Sequence, residues 1–268
     1  MTKAVLIGAA GRMGLAIARC AQNDDEIEIV GAIEAAGHPD LGKDIGEVAE
    51  IGKIGVPITS DLAEALDDAD VAIDFSFHTA VPQNVTITAS KRRAFALGTT
   101  GLSEEETLTV MEVVDKIPVL WAPNMSLGIN LLFAMVEKAS KILKDDFLVE
   151  VDETHHIHKK DAPSGTALRL AERVADGWRK ELKDVMVFDE EGSVDTPPEG
   201  KILMHSHREG EVIGDHTVAF SNGVERIEFT HNALSRDTLA LGSIKGAKWI
   251  VTQKPALYDM QDMLGLRS

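Results

Sequence analysis

Between residues 4 and 122 the hydrophobic positions alternate between short continuous runs and spaced stripes. The runs AVLIG (4–8), IEIVGAI (27–33), VAIDFS (71–76), AFALG (94–98) and PVLWA (118–122) read as strands. The segments between them carry a helical period. Ser103 and Glu106 have the spacing of a capping box and place a helix over Ser103–Asp115. Strands that alternate with helices predict an α/β fold with a parallel, doubly wound sheet.

After residue 126 the pattern changes. Leu132, Met135, Val136, Ala139, Ile142 and Leu143 form a stripe that predicts a helix over Leu127–Leu143. FLVEVDETH (147–155) reads as a strand. Ser164–Lys183 reads as a helix with Leu168, Ala171, Val174, Ala175, Trp178 and Leu182 on its buried side. The segment 189–200 is a polar loop rich in turn residues. Strands at 201–207, 211–221 and 224–232 follow in succession, which predicts hairpins. The expected division is therefore residues 1–126 with 236–268 as one domain, and 127–235 as a smaller α+β domain. The last segment reads as a helix and a short tail that returns to the first domain.

Aromatic residues are only 4% of the chain, so the core must be aliphatic. The net charge of −17 excludes nonspecific attraction to a nucleic-acid backbone or an anionic membrane. The first residues are too short an apolar run for a signal peptide, and no apolar stretch is long enough to span a bilayer. A cytoplasmic address is expected. Cys20 is the single cysteine, in line with Met13, Ile17 and Ala21 on a helix, and reads as a structural thiol.

Gly8-Ala9-Ala10-Gly11-Arg12-Met13-Gly14 follows the first strand and opens a helix. That is the context of a dinucleotide turn, in which glycines let the backbone approach a pyrophosphate at a helix N-terminus. The spacing is G-x-x-G-x-x-G instead of the commoner G-x-G-x-x-G. Glu34 ends the second strand, where an acid can accept both ribose hydroxyls. Gly98-Thr99-Thr100-Gly101 and Ala122-Pro123-Asn124-Met125 lie at other strand ends, suited to line a cofactor.

The stretch His155 to Lys160 holds three histidines, two lysines and no acid, and Pro163-Ser164-Gly165-Thr166 follows it at a helix start. Three readings compete. His156 and His158 could be zinc ligands, but the chain has no matching cysteine pair or H-E-x-x-H motif. The segment could be a solvated loop. An acid–base and anion-binding site fits the side chains best, because His titrates near neutrality and free helix N–H groups bind carboxylates. No metal is expected.

GAAGRMG, GTTG, APN and E-T-H-H-x-H-K-x-D-A-P-S-G-T-A together resemble the 4-hydroxy-tetrahydrodipicolinate reductase family of lysine and diaminopimelate synthesis. The likeness runs from residue 4 to about residue 263, with the motifs in the same order. It implies a homotetramer with a Rossmann domain and a mixed-sheet domain for substrate binding and oligomerisation. The implied reaction is NADH- or NADPH-dependent reduction of a small cyclic dicarboxylate. By match, Gly8, Ala9, Ala10, Gly11, Arg12, Met13, Glu34, Gly98, Thr99, Thr100, Ala122, Pro123, Asn124 and Met125 would line the cofactor. His155 and Lys159 would be catalytic, and His156, Gly165 and Thr166 would hold substrate. The segment Gly210–His216 also fits, with Asp215 where the family usually has Glu. Ala35 is a departure. Many members carry Arg there to meet a 2′-phosphate, so this chain is expected to use NADH at least as well as NADPH. Other Rossmann dehydrogenases of small acids, and a non-catalytic NAD(H) sensor, are the alternatives.

Overall fold

The structure, a computed structural model, describes residues 1–189, 193–194 and 196–267. The chain forms two compact units. One comprises Met1–Leu127 and the segment from Asp237 onward; the other comprises Gly128–Arg236.

The first unit runs β1 (Thr2–Ile7), α1 (Arg12–Ala21), β2 (Ile27–Ile33), α2 (Ile45–Val48), β3 (Ile58–Thr59), α3 (Leu62–Ala65), β4 (Val71–Asp74), α4 (Val81–Ser90), β5 (Ala94–Leu97), α5 (Glu104–Met111) and β6 (Pro118–Trp121). Its sheet is wholly parallel, in the order β3-β2-β1-β4-β5-β6 with a further edge strand beside β6. Alternate residues of each strand enter opposite cores, so both faces are covered, as a parallel sheet requires. Leu6, Ile73 and Leu120 meet the α1 side through Ala16 and Ile17. Val5, Ala72, Phe95 and Val119 meet Leu62, Val85 and Val110 of α3, α4 and α5.

The expected strand 71–76 stops at Asp74. The buried Asp74 carboxylate accepts Ser76 N–H at 2.8 Å and Ser76 Oγ at 2.7 Å, which turns the chain. The capping box at Ser103 and Glu106 forms, but α5 ends at Met111 and not at Asp115. Cys20 is half-buried against the core, and burial pushes its thiol up.

The second unit contains α6 (Leu127–Leu143, entering from the unit boundary), β7 (Leu148–His155), α7 (Gly165–Trp178), α8 (Leu182–Val185), β8 (Met186–Phe188), β9 (Ile202–Arg208), β10 (Asp215–Ser221) and β11 (Arg226–Asn232). Its mixed sheet has the order β11-β10-β7-β9-β8. One face packs Val149, Val151, Met204, Val218 and Phe220 against Val136 of α6 and Leu170, Ala171 and Val174 of α7.

Three expectations need correction here. Only β10 and β11 form a hairpin. β9 pairs in parallel with β7, which lies between β9 and β10 in the sheet. Parallel pairing needs a crossover, and α7 lies within it. The helix expected over Ser164–Lys183 breaks at Arg179, whose left-handed conformation (φ 58°) closes α7 before α8 begins. Ile142 is 70% exposed. It stands about 240° around the helix from Val136, outside the buried stripe. Of the loop expected at 189–200, residues 190–192 and 195 lie outside the described residues.

The chain then returns to the first unit as α9 (Asp237–Ile250), β12 (Ala256–Tyr258) and α10 (Met260–Met263). β12 is the edge strand beside β6, within the segment expected to be a short tail. Three residues are too few to display a period. No helix among the described residues is long and apolar enough to cross a membrane.

Gly242 of α9 is buried against the loop after β6. A Cβ there would lie 1.7 Å from the Met125 carbonyl oxygen, which is backbone and cannot move aside. Alanine normally stabilises a helix interior relative to glycine by about 1 kcal/mol. Gly242→Ala is instead expected to destabilise by about 1–3 kcal/mol through overpacking. Denaturant melts of the two proteins check this, and an unchanged or raised midpoint would contradict the packing described.

Candidate active site

In the first unit, parallel strands bring the loops after β1, β2, β4, β5 and β6 to one edge of the sheet. Gly8 has φ +76°, and a Cβ there would meet the Phe75 carbonyl oxygen at 2.7 Å. A Cβ on Gly14 would lie 2.3 Å from the Ala9 carbonyl oxygen. Only glycine lets α1 close onto the turn at these two places. Gly11 caps α1 and provides no side-chain acceptor. The helix therefore begins with first-turn N–H groups that have no intrahelical acceptor. Glu34 stands beside this turn, with Oε1 accepting Ala10 N–H at 2.9 Å and Oε2 accepting Ala35 N–H at 3.3 Å. Arg12 is exposed, and Met13 packs partly against the core.

The loop after β5 is pinned from beneath. Thr99 is buried, and its Oγ1 lies 3.1 Å from Asp74 Oδ1. Asn84 Nδ2 donates to the other carboxylate oxygen at 2.8 Å. Burial pushes the Asp74 carboxyl up, opposed by these donors and Ser76. Thr99 thus presents backbone, and not its hydroxyl, to any ligand, while Thr100 is exposed. After β6, Ala122 and Met125 are buried and Pro123 is exposed. Asn124 Oδ1 accepts Ser126 N–H at 2.9 Å. The glycine turn, the bare helix start and the neighbouring acid fit a dinucleotide: backbone for the pyrophosphate, carboxylate for the ribose.

In the second unit, the core face of β7 carries Val149, Val151, Glu153 and His155 in alternation. The first two fill the apolar core. The last two continue the same face into polar surroundings. The Glu153 side chain has no exposure. Its Oε2 accepts from His155 Nδ1. Its Oε1 accepts from Ser164 N–H at 3.1 Å and from both Arg208 terminal nitrogens at 3.2 Å. Burial alone would raise the Glu153 carboxyl, but the His155 contact, then the neighbouring Ser206 hydroxyl and the charges of His155 and Arg208, outweigh it and hold it at about 2. Arg208 also donates to the Lys159, Asp161 and His207 carbonyl oxygens. It ties the loop after β7 to the end of β9.

Lys159 Nζ is engaged by both Asp161 oxygens, at 2.9 and 2.8 Å. The Asp161 carboxyl is held below its usual range, chiefly by that hydrogen bond. Ser164 is the N-cap of α7 and accepts Ala167 N–H at 3.2 Å. At Gly165 a Cβ would meet nothing within 4 Å, so the helix start is open beside Thr166. His216 is buried with Nε2 3.3 Å from Ser164 Oγ, and its ring stands edge-on to His155 at 5.1 Å. Burial, then the neighbouring His155 charge, lowers its pKa to about 3. His156 turns toward His158, with ring centroids 6.0 Å apart.

The motif residues His155, Lys159 and the start of α7 are therefore linked, and the link consists of residues the motif analysis did not assign. Glu153 could have been found as an acid at a core position of an alternating strand. Arg208 carries no such signal, because its approach depends on the parallel pairing of β7 with β9. Glu153, His155 and His216 also bring potential metal-donor atoms within 4.8 Å of one another. The Glu153 oxygens, however, are occupied by a guanidinium, a backbone N–H and His155. That donor set makes a hydrogen-bonded network and leaves the carboxylate poorly placed to serve a cation.

Comparison with known proteins agrees over the whole chain. The profile described as dihydrodipicolinate reductase, N-terminus, matches residues 2–125, and the one described as its C-terminus matches residues 128–264. The 4-hydroxy-tetrahydrodipicolinate reductase of Geotalea uraniireducens is 43% identical, covering 100% of both chains. The enzyme of the same name from Syntrophus aciditrophicus is 40% identical, again over 100% of both. A dipicolinate-bound dihydrodipicolinate reductase from Paenisporosarcina sp. TG-14 has the same fold, with a TM-score of 0.78, 20% identity and 98% of each chain covered. With both of its units matched in sequence, and relatives alike from end to end, the chain belongs to the dihydrodipicolinate reductase family.

Proposed function

We propose that this protein reduces 4-hydroxy-tetrahydrodipicolinate to tetrahydrodipicolinate, using a reduced nicotinamide dinucleotide and releasing water. The observation that carries this reading is the joining of His155, the cap of α7 and, through Arg208, the backbone of Lys159 around one buried carboxylate. The function named for the full-length relatives supports it. The first unit is read as the cofactor domain and the second as the substrate domain. A cytoplasmic homotetramer is the assembly we infer, on the strength of the family resemblance.

When bound, the reduced nicotinamide supplies the hydride. Gly8 to Met13 hold the pyrophosphate by backbone, and Glu34 accepts from the adenosine ribose. Gly98, Thr99, Thr100 and Ala122 to Met125 line the remainder of the cofactor. His156, Gly165 and Thr166 bind the substrate carboxylates, helped by the positive end of α7. One hydride and one proton enter while the 4-hydroxyl leaves as water. His155 and Lys159 handle the protons. Lys159 can leave Asp161 for a substrate carboxylate or for the reacting ring, since both offer an anionic or basic partner. Holding the ring against these groups converts binding energy into orientation.

Cofactor choice follows from the residue after Glu34. Ala35 offers no cation to a 2′-phosphate, and the Glu34 carboxylate repels one. Free 2′-hydroxyl, as in NADH, suits this pair.

Three outcomes are expected. His155→Gln should lower kcat by about 10²–10⁴-fold in a coupled assay that generates substrate enzymatically; unchanged turnover removes His155 from the chemistry. Wild-type kcat/KM with NADH should at least equal that with NADPH, and Ala35→Arg should raise the relative use of NADPH. A strong wild-type preference for NADPH would refute the assignment. The third concerns acid stability. The folded pKa of His216, about 3, lies below its ordinary 6.5, so its contribution is fully present above pH 6.5 and declines as pH falls toward 3. Glu153, depressed from 4.5 to about 2, adds a further loss below pH 4.5. Thermal midpoints measured across this range should fall, and His216→Gln should flatten the upper part. Equal slopes for the two proteins would count against a buried neutral His216.

A further inference from the structure

His155 can act on a substrate through either ring nitrogen, and the two are not equivalent in this protein. Nδ1 is taken by Glu153, whose carboxylate is buried with 1% residue exposure. An ionised carboxylate is an acceptor only, so the proton of that contact resides on Nδ1. Nε2 faces a different neighbour. A Cβ added to Gly214 would lie 3.0 Å from Nε2, so glycine at 214 leaves no side chain of its own against this edge of the ring.

From this geometry we infer that Glu153, clamped by Arg208, is the positioning residue for His155: it holds the Nδ1–H tautomer and leaves Nε2 as the atom that exchanges protons with substrate. The inference deepens the proposed function and rests on it for the step that His155 serves.

Several features fix the carboxylate itself. Glu153 and His155 are two residues apart on one strand, so both Cβ atoms leave the same face of β7. Neither side chain needs a long or flexible reach. Oε1 is held by Ser164 N–H and by the Arg208 guanidinium, which orients Oε2 toward His155. Arg208 is pinned in turn by the Lys159, Asp161 and His207 carbonyl oxygens. A guanidinium stays charged at any working pH, so the pair does not lose its cation.

The charges around His155 agree with this role. Glu153 is the anion in contact with it. Arg208 is committed to Glu153, and Lys159 is engaged by Asp161. His216, edge-on to the ring, is held neutral by burial and adds no repulsion. In the proton-donating step the Nε2–H bond of the imidazolium breaks and the proton passes to substrate. The ring is left as the neutral Nδ1–H form, and Glu153 remains a carboxylate throughout. Water restores the proton for the next cycle. A carboxylate that orients a histidine without taking its proton is a known arrangement in hydrolases.

The test begins with the resting wild-type protein labelled with ¹⁵N-histidine. Neutral His155 should show a protonated Nδ1 and a bare Nε2 in its nitrogen shifts. A neutral His155 protonated on Nε2 would overturn the inference without any variant being made. The second measurement is the pH profile of kcat/KM for Glu153→Gln. Loss of the anion should lower kcat by at least about tenfold, change KM by less than about threefold, and move the His155 limb to lower pH, because the imidazolium loses its counter-charge. Glu153→Asp keeps the charge and should keep the limb near its wild-type position. An active wild type whose Glu153→Gln variant retains both kcat and limb refutes the positioning role alone. A wild type that does not turn over 4-hydroxy-tetrahydrodipicolinate refutes the proposed function, and the tautomer measurement then still decides the geometry.

Discussion

A carboxylate removed from water must be met by donors from the protein, and Glu153 imposes that requirement at the end of the core face of β7. Its position on the strand is an apolar position by alternation. The donors that satisfy it come from three places along the chain: the same strand, the cap of α7 and the end of β9, where Arg208 also donates to the carbonyl of Lys159 in the loop after β7. Each of these segments is thereby fixed relative to the others. The order of the second sheet follows the same logic. β9 has to lie beside β7 for Arg208 to reach, and the crossover that makes this pairing parallel contains the very helix whose cap donates to Glu153.

The first unit is organised by steric exclusion instead of charge. Gly8, Gly14 and Gly98 each stand where a Cβ would overlap backbone or an aromatic ring. Their absence of side chains draws α1 onto the end of β1 and the β5 loop onto Phe75. Asp74 performs a lesser version of the Glu153 task. It lacks a cationic partner in its hydrogen-bond set and gathers Ser76, Asn84 and Thr99 by neutral donors. Burial accordingly raises its carboxyl, where the guanidinium and imidazole keep that of Glu153 low. The contrast shows how the partner, and not burial by itself, sets the protonation of a buried acid.

The overall charge of −17 makes the cationic segment after β7 significant. Lys159 is already paired with Asp161, so under the proposed function a substrate carboxylate would compete with an internal one. Such competition would let the ammonium change partners with little loss. At the start of α7 the space beside Gly165 is open.

Amphipathic periods and glycine spacing made the parallel sheet, the dinucleotide turn, α6 and the motif from His155 to Thr166 legible in the sequence, because each is a local property of neighbouring residues. The break at Arg179 was not legible, since arginine is not the residue that a left-handed cap usually selects. Nor was the placing of β7 between β9 and β10, because alternation specifies a strand's faces and not its neighbours. Ile142 misled for a related reason: its apolar side chain extended a stripe that the helix geometry had already rotated away. The sequence by itself determined that His155 and Lys159 stand beside a helix start, and that a glycine turn joins the first strand to the first helix. Only the tertiary structure decided which groups hold His155. Glu153 becomes its partner through strand geometry and burial, and Arg208 arrives from a strand 55 residues away along the chain. Interactions at that separation depend on sheet order, which no local pattern encodes.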